Sequence, residues 1–113
     1  MGGLAKDFSR ISFLPPSPVF TGGTYIFPLL TVDVNFDRAM DTGVLPSLAS
    51  FEIILDGVPE TPSLLLWVDG DTLRLTISGP ATVSLVVRLL TQDSNLRSAA
   101  GTFARAPQSV TIL

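Results

Sequence analysis

The chain has 113 residues, the size of one domain. Seven Lys and Arg against ten Asp and Glu give a net charge of -3, which argues against binding to phosphate backbones or an anionic membrane surface. Cys and His are both absent, which removes thiol nucleophiles, disulfides, the usual zinc ligands and the side chain most used for acid–base work near neutral pH.

Only 15% of residues are charged and 46% are apolar, whereas an average soluble domain is about 25% charged. A domain of this length buries only about 60–70% of the surface its unfolded chain exposes, so some apolar side chains must lie outside the core. A partner that covers them is the simplest remedy. Exposed Ser and Thr that solvate the surface without charge are the alternative.

From the N-terminus, residues 1–16 show no clean period and read as an extended arm ahead of a sandwich domain at residues 17–113. Phe8, Ile11, Phe13 and Leu14 precede a proline cluster and are the candidate partner contacts, with packing on their own domain as the alternative. The stretch 11–32 is uncharged, but Pro15, Pro16, Pro18, Pro28, Gly22 and Gly23 exclude a membrane-spanning helix. The first residues lack the basic and apolar regions of a secretory signal. The expectation is therefore a cytoplasmic chain, one delivered by assembly, or a fragment whose signal has been removed.

One strand is expected between Pro18 and Phe27. Residues 30–36 alternate strictly, with Leu30, Val32, Val34 and Phe36 on one face and Thr31, Asp33 and Asn35 on the other. Residues 37–50, interrupted by Pro46, read as a crossing loop with a short helix. Residues 51–55 alternate again with Phe51, Ile53 and Leu55 inward, and Asp56-Gly57 supplies a tight turn. Residues 64–68 and 72–77 form a hairpin about Asp69-Gly70-Asp71, with Leu73, Leu75 and Ile77 inward. The apolar run 83–90 suits a central strand covered on both faces, and residues 109–113 form the last strand. About seven short strands with turns every 8–12 residues predict an all-β, immunoglobulin-like antiparallel β-sandwich.

The run VDVNFDRAMD, followed ten residues later by FEIILDG, resembles the bacterial immunoglobulin-like domains whose first long strand ends in Phe, two or three residues and Met-Asp. Leu64-Leu65-Leu66-Trp67 with Asp71-Thr72-Leu73-Arg74-Leu75 is similar to that family's middle hairpin, and Asp93-Ser94-Asn95-Leu96 with Gly101 to its approach to the last strand. The likeness covers residues 18–113. Asp37-Arg38-Ala39 stands where the family has Ser-Glu-Pro or Ser-Lys-Pro, and Ala100-Gly101-Thr102 replaces its Gly-Asn pair. The resemblance implies a module of bacterial surface proteins or phage virions that supplies spacing and contact rather than chemistry.

Catalysis has little to draw on beyond eight Asp, two Glu, one Lys, one Tyr and hydroxyls. The close acidic pair Asp69 and Asp71 flanks a turn glycine, which accounts for it. Asp37, Asp41, Asp93 and Asn95 would offer oxygen ligands to calcium if their loops met; capping and side-chain-to-backbone turns are the simpler reading. Trp67 reads as core or rim rather than a sugar-stacking platform, and Met40 as a plug beneath the crossing loop. Arg outnumbers Lys six to one, and Arg10, Arg38, Arg88, Arg97 and Arg105 are candidates for pairs between subunits. No enzyme activity, cofactor, metal, nucleic acid or membrane span is expected. The partners are other protein subunits, in a homo-oligomer or larger assembly. The leading expectation is a small phage virion protein, a capsid or tail accessory, built on an apolar surface and the arm. The alternative is an adhesive or ligand-binding module of a larger secreted bacterial surface protein.

Overall fold

The computed structural model describes residues 16–113; the arm contacts Phe8, Ile11, Phe13 and Leu14 lie outside the described residues. Eight strands follow one another: β1 (Phe20–Ile26), β2 (Thr31–Phe36), β3 (Phe51–Leu55), β4 (Val58–Glu60), β5 (Leu64–Asp69), β6 (Thr72–Thr76), β7 (Leu85–Leu89) and β8 (Gln108–Thr111). They form two four-stranded sheets, in the orders β1-β2-β6-β5 and β4-β3-β7-β8, and every pairing is antiparallel. This is the strand order of an immunoglobulin constant-type sandwich with one strand, β4, added beside the third. The expected all-β immunoglobulin-like sandwich is therefore the observed fold, with eight strands in place of about seven. The addition has only three residues, one of them Pro59, too short and too interrupted to show a period.

Alternation of side chains along each strand builds the core. Val32, Val34 and Phe36 of β2 with Leu73 and Leu75 of β6 face Phe51 and Ile53 of β3 with Leu85, Val87 and Leu89 of β7, all of them buried. The predicted inward set is thus the observed one, apart from the first and last positions of two strands. Leu30 lies in the β1–β2 turn at φ 57 rather than in the strand, and Leu55 is only half-buried. Asp56 (φ 50) and Gly57 (φ 86) form the expected tight turn between β3 and β4.

The run 83–90 departs from expectation. β7 is central in its sheet, between β3 and β8, but only Leu85, Val87 and Leu89 are buried, while Arg88 is exposed and Val83, just before the strand, is 80% exposed. A sandwich covers each sheet on one face, and no described element lies over the outer face of β7. Continuous apolarity here reflects an apolar exterior, not a doubly covered strand.

The crossing loop contains one turn of 3₁₀-helix, Leu48–Ser50, capped by the Ser47 hydroxyl, which accepts from the Ala49 N–H (3.3 Å). Met40 is buried beneath this crossover, as expected. Residues 96–104 fold over the same end as a short ribbon. Its bridges pair Met40 with Ser98 and Arg97 with Phe103, and it drops Leu96 and Ala104 into the core.

On one side the sandwich is closed. β1 and β8, edges of different sheets, lie together: the Gln108 side chain accepts from the Phe20 N–H (2.8 Å) and donates to the Pro18 carbonyl (3.3 Å). The approach is close enough to require glycine. A Cβ on Gly23 would overlap the Asp33 carbonyl and lie 2.5 Å from Ile112 Cδ1, whereas one on the neighbouring Gly22 would meet nothing. Gly23→Val is therefore expected to destabilise the domain by roughly 1–3 kcal/mol, the usual penalty of overpacking, while Gly22→Val changes stability far less. Urea unfolding midpoints of the two variants measure the difference.

Candidate interaction surface

The register gives the molecule two ends. β1 begins and β2 ends at one, beside residues 37–50, the Asp69–Thr72 turn and residues 90–107. The β1–β2 turn, the Asp56-Gly57 turn, residues 77–84 and Leu113 share the other.

At the first end each sequence-singled carboxylate has its own partner within the chain. Asp37 takes Nε (2.8 Å) and Nη2 of Arg38 on its two oxygens and also accepts from the Val19 N–H (3.1 Å). The Arg38 guanidinium holds its carboxyl down at about 2. Asp41 pairs with Arg97 Nε (2.9 Å) and accepts from the Gly43 N–H (3.0 Å), and the arginine lowers its pKa. Burial pushes Asp93 up, but the N–H groups of Ser47 and Asn95 and the Ser50 hydroxyl outweigh burial and leave it lowered. The loops of Asp41 and Asp93 do come together, as the calcium reading required. They meet through an arginine and backbone N–H groups, and among the described residues no three acidic side chains converge on a point that would hold a cation. Capping and local turns account for Asp41, Asp93 and Asp69, whose Oδ1 accepts from the Asp71 N–H (3.1 Å).

The arginines correct one expectation. Arg38, Arg88 and Arg97 are not held in reserve for pairs between subunits; they bind Asp37, Glu52 and Asp41 of their own chain. Arg74 binds Asp33 in a two-pronged pair on the outer face of the first sheet (2.7 and 3.0 Å). Arg105 is exposed, and Arg10 lies outside the described residues. In each pair the partners are sequence neighbours, cross-strand neighbours or the two sides of one loop crossing, so the fold itself brings them together. Trp67 is half-buried against Phe36, and its Nε1 donates to the Val44 carbonyl (2.8 Å). That places it at the rim of the core and ties the crossing loop to β5.

With most of the described arginines paired within the chain, large apolar side chains are exposed at both ends and along one sheet edge, Val19, Leu45, Leu48, Leu90 and Phe103 at the first end among them. Phe27 and Leu29 in the β1–β2 turn, with Val83 and Leu113, are exposed at the second end. Leu64, Leu66 and Val68 are exposed along the outer side of β5. The sequence held a signal for the β5 patch. Five apolar residues in succession, 64–68, inside a strand must turn about half their number outward, yet the run reads simply as a strand. At the first end a shallow hollow of about 330 Å³ lies between Arg38, Ala39 and the Asp69–Asp71 turn. Its one cation is already paired with Asp37, so it offers no free charge to a ligand.

Asp56 is the polar residue that sequence reasoning placed in a turn without seeing its second role. Its carboxylate accepts from the N–H groups of Thr82 (3.0 Å), Val83 (2.7 Å) and Ser84 (3.0 Å) and from the Thr82 hydroxyl (2.9 Å). These donors, Val83 and Ser84 foremost, lower its pKa to about 2. A carboxylate whose folded pKa lies below its unfolded one stabilises the fold at pH values above the unfolded pKa. That contribution fades as pH falls from about 4 through about 2. Asp56→Asn is expected to lower the melting temperature at pH 7. The gap from the parent should stay constant down to about pH 5 and close between about pH 4 and 2, as read by thermal melts across pH.

No protein-family model matches the chain, and no curated protein does. A solved structure of the N-terminal part of the bacterial S-layer protein SbsC superposes with a TM-score of 0.59 at 18% identity, over 97% of this chain and 26% of that one. The chain thus spans about a quarter of that protein's structure, and the likeness is one of fold.

Proposed function

We propose that this chain is a non-enzymatic structural module of a bacterial cell-surface protein, an immunoglobulin-like domain that works by contact with other protein subunits. The observation that carries the reading is the division of its exterior: four arginines bind carboxylates within the chain, and large apolar side chains stand in solvent at both ends and along one sheet edge. Such patches mark contact surfaces in soluble proteins. The S-layer likeness supports the surface location over the virion one, and the motifs at residues 31–57 support membership of the bacterial immunoglobulin-like family. The strands suit a module placed in series, because β1 starts at one end of the sandwich and β8 finishes at the other.

In this reading Phe8, Ile11, Phe13 and Leu14 add a second contact element. Ordering an arm costs roughly 1–2 kcal/mol of backbone entropy per residue, and burying its aromatic and aliphatic side chains at about 25 cal/mol per Å² offsets that loss. Sedimentation velocity of the whole chain over a wide concentration range tests the proposal. The expected result is reversible association, weakened by Phe13→Asp, with a melting temperature that stays within a few degrees of the parent's. A chain that sediments as a monomer at every concentration overturns the structural-contact reading; association untouched by Phe13→Asp removes the arm from it.

A further inference from the structure

The four sheet edges of this sandwich are not equally defended. β1 and β8 cover one another along the Gln108 and Gly23 seam. β4 is three residues long and carries Pro59, which has no N–H to offer, followed by Glu60. These are common protections of an edge against strand addition. β5 carries no proline and no charge between Leu64 and Val68, and its outward side chains are exposed by 59% (Leu64), 52% (Leu66) and 44% (Val68); a bulge shifts its pairing with β6 between Trp67 and Asp69, so the bare regular stretch is Leu64 to Trp67.

The phase of its hydrogen bonds can be read from β6. Ile77 N–H donates to the Leu30 carbonyl (2.9 Å) and the Asp71 carbonyl accepts from the Phe36 N–H (2.8 Å), so the odd-numbered residues of β6 turn their main chain toward β2 and Thr72, Arg74 and Thr76 turn theirs toward β5. Thr76 and Arg74 lie opposite Leu64 and Leu66. The N–H and C=O groups of Leu65 and Trp67 therefore point to the free edge, and no backbone bond from another described element reaches them.

We infer that β5 pairs antiparallel with β5 of a second copy about a two-fold axis through Leu66, a pairing that rests on the structural-contact reading above and names its partner. In that register Leu66 faces the second copy's Leu66 and Leu65 faces its Trp67, and the bulge at Val68 ends the regular pairing on either side. Outward residues meet outward residues, inward meet inward, and all three pairs are apolar. The free main-chain groups of Leu65 and Trp67 supply the hydrogen-bonded pairs on either side of the axis, and Leu66 occupies the non-hydrogen-bonded site, where side chains come closest. No like charges meet. Asp69 lies beyond the bulge, and the nearest cation, Arg74, is held by Asp33. The two four-stranded sheets become one sheet of eight.

Sedimentation equilibrium of the full-length chain, alone and as Leu66→Lys, Leu66→Glu and an equimolar mixture of the two, tests the pairing. The parent is expected to dimerise. Each variant alone should raise the dissociation constant at least a hundredfold with an unchanged circular dichroism spectrum, because two like charges then face each other about 5 Å apart across the axis. The mixture should recover a heterodimer, an outcome that a merely structural role for Leu66 would not produce. Leu45→Lys, at an exposed apolar site elsewhere, should leave dimerisation intact. A dimer that survives Leu66→Lys, a mixture that stays monomeric, or equal loss in Leu45→Lys overturns the pairing and leaves the structural-contact reading standing. A monomeric parent overturns both.

Discussion

The two sheets of this domain share a single slab of side chains, and every other feature is constrained by the need to fill it. Phe51, Ile53, Leu85, Val87 and Leu89 from one sheet meet Val32, Val34, Leu73 and Leu75 from the other, all at 0% or 1% exposure. Each strand contributes on alternate residues only, so a one-residue slip in any pairing would turn its whole contribution outward. Register is therefore held firmly at the turns. Asp56-Gly57 sets the β3–β4 pairing, and the Asp56 carboxylate reaches across to fix residues 82–84 ahead of β7. One side chain thus coordinates two connections that enter the same sheet.

The slab also decides what happens at the ends. Strands of three to seven residues leave the core open above and below, and short polypeptide plugs fill the gap. Met40, Leu96 and Ala104 come from connecting segments rather than strands, and each is buried to 4% exposure or less. The ion pair of Asp41 with Arg97, beside the backbone bond from Asp41 N–H to the Arg97 carbonyl (2.9 Å), clasps the two connections that carry those plugs. The electrostatics of this end thus serve closure of the core. Surface pairs of this kind contribute little individually, but these two are reinforced by main-chain bonds that fix the same geometry.

How much of this was legible in the sequence follows from the same physics. Strict alternation made β2, β3 and β6 readable almost to the residue, because a half-buried strand writes its burial into a period of two. β4 was invisible since three residues cannot show a period and Pro59 reads as a break. β7 was located but its outer face misjudged: Val83, Val86 and Leu90 are as apolar as the buried set, and composition does not tell a covered face from a bare one. The arginines were misassigned for a related reason. A sequence shows how many charges exist, whereas Asp41 and Arg97 lie 56 residues apart and only the crossing of two loops makes them partners. The arm residues Phe8, Ile11, Phe13 and Leu14 lie outside the described residues, which begin at Pro16.

The internal pairing of charge explains why so apolar a chain has its exposed surface where it does. A domain with few ionic groups has two ways to use them: scattered over the exterior to keep it solvated, or gathered where they hold loops and sheets together. Here the second use prevails. Asp33 and Arg74 lie on the outer face of the first sheet, and Asp37 with Arg38 and Asp41 with Arg97 lie at the loop-rich end. Among the described residues the exposed side chains of Leu64, Leu66 and Val68 on the sheet edge, and of Phe27 and Leu29 in the β1–β2 turn, are not interleaved with further charges. A strand edge without proline or charge is a liability for a free monomer, and under the proposed contact role it is a surface suited to main-chain pairing. The scarcity of charge and the apolar edge are then two aspects of one arrangement, in which the polar groups secure the fold and apolar side chains are left on the exterior.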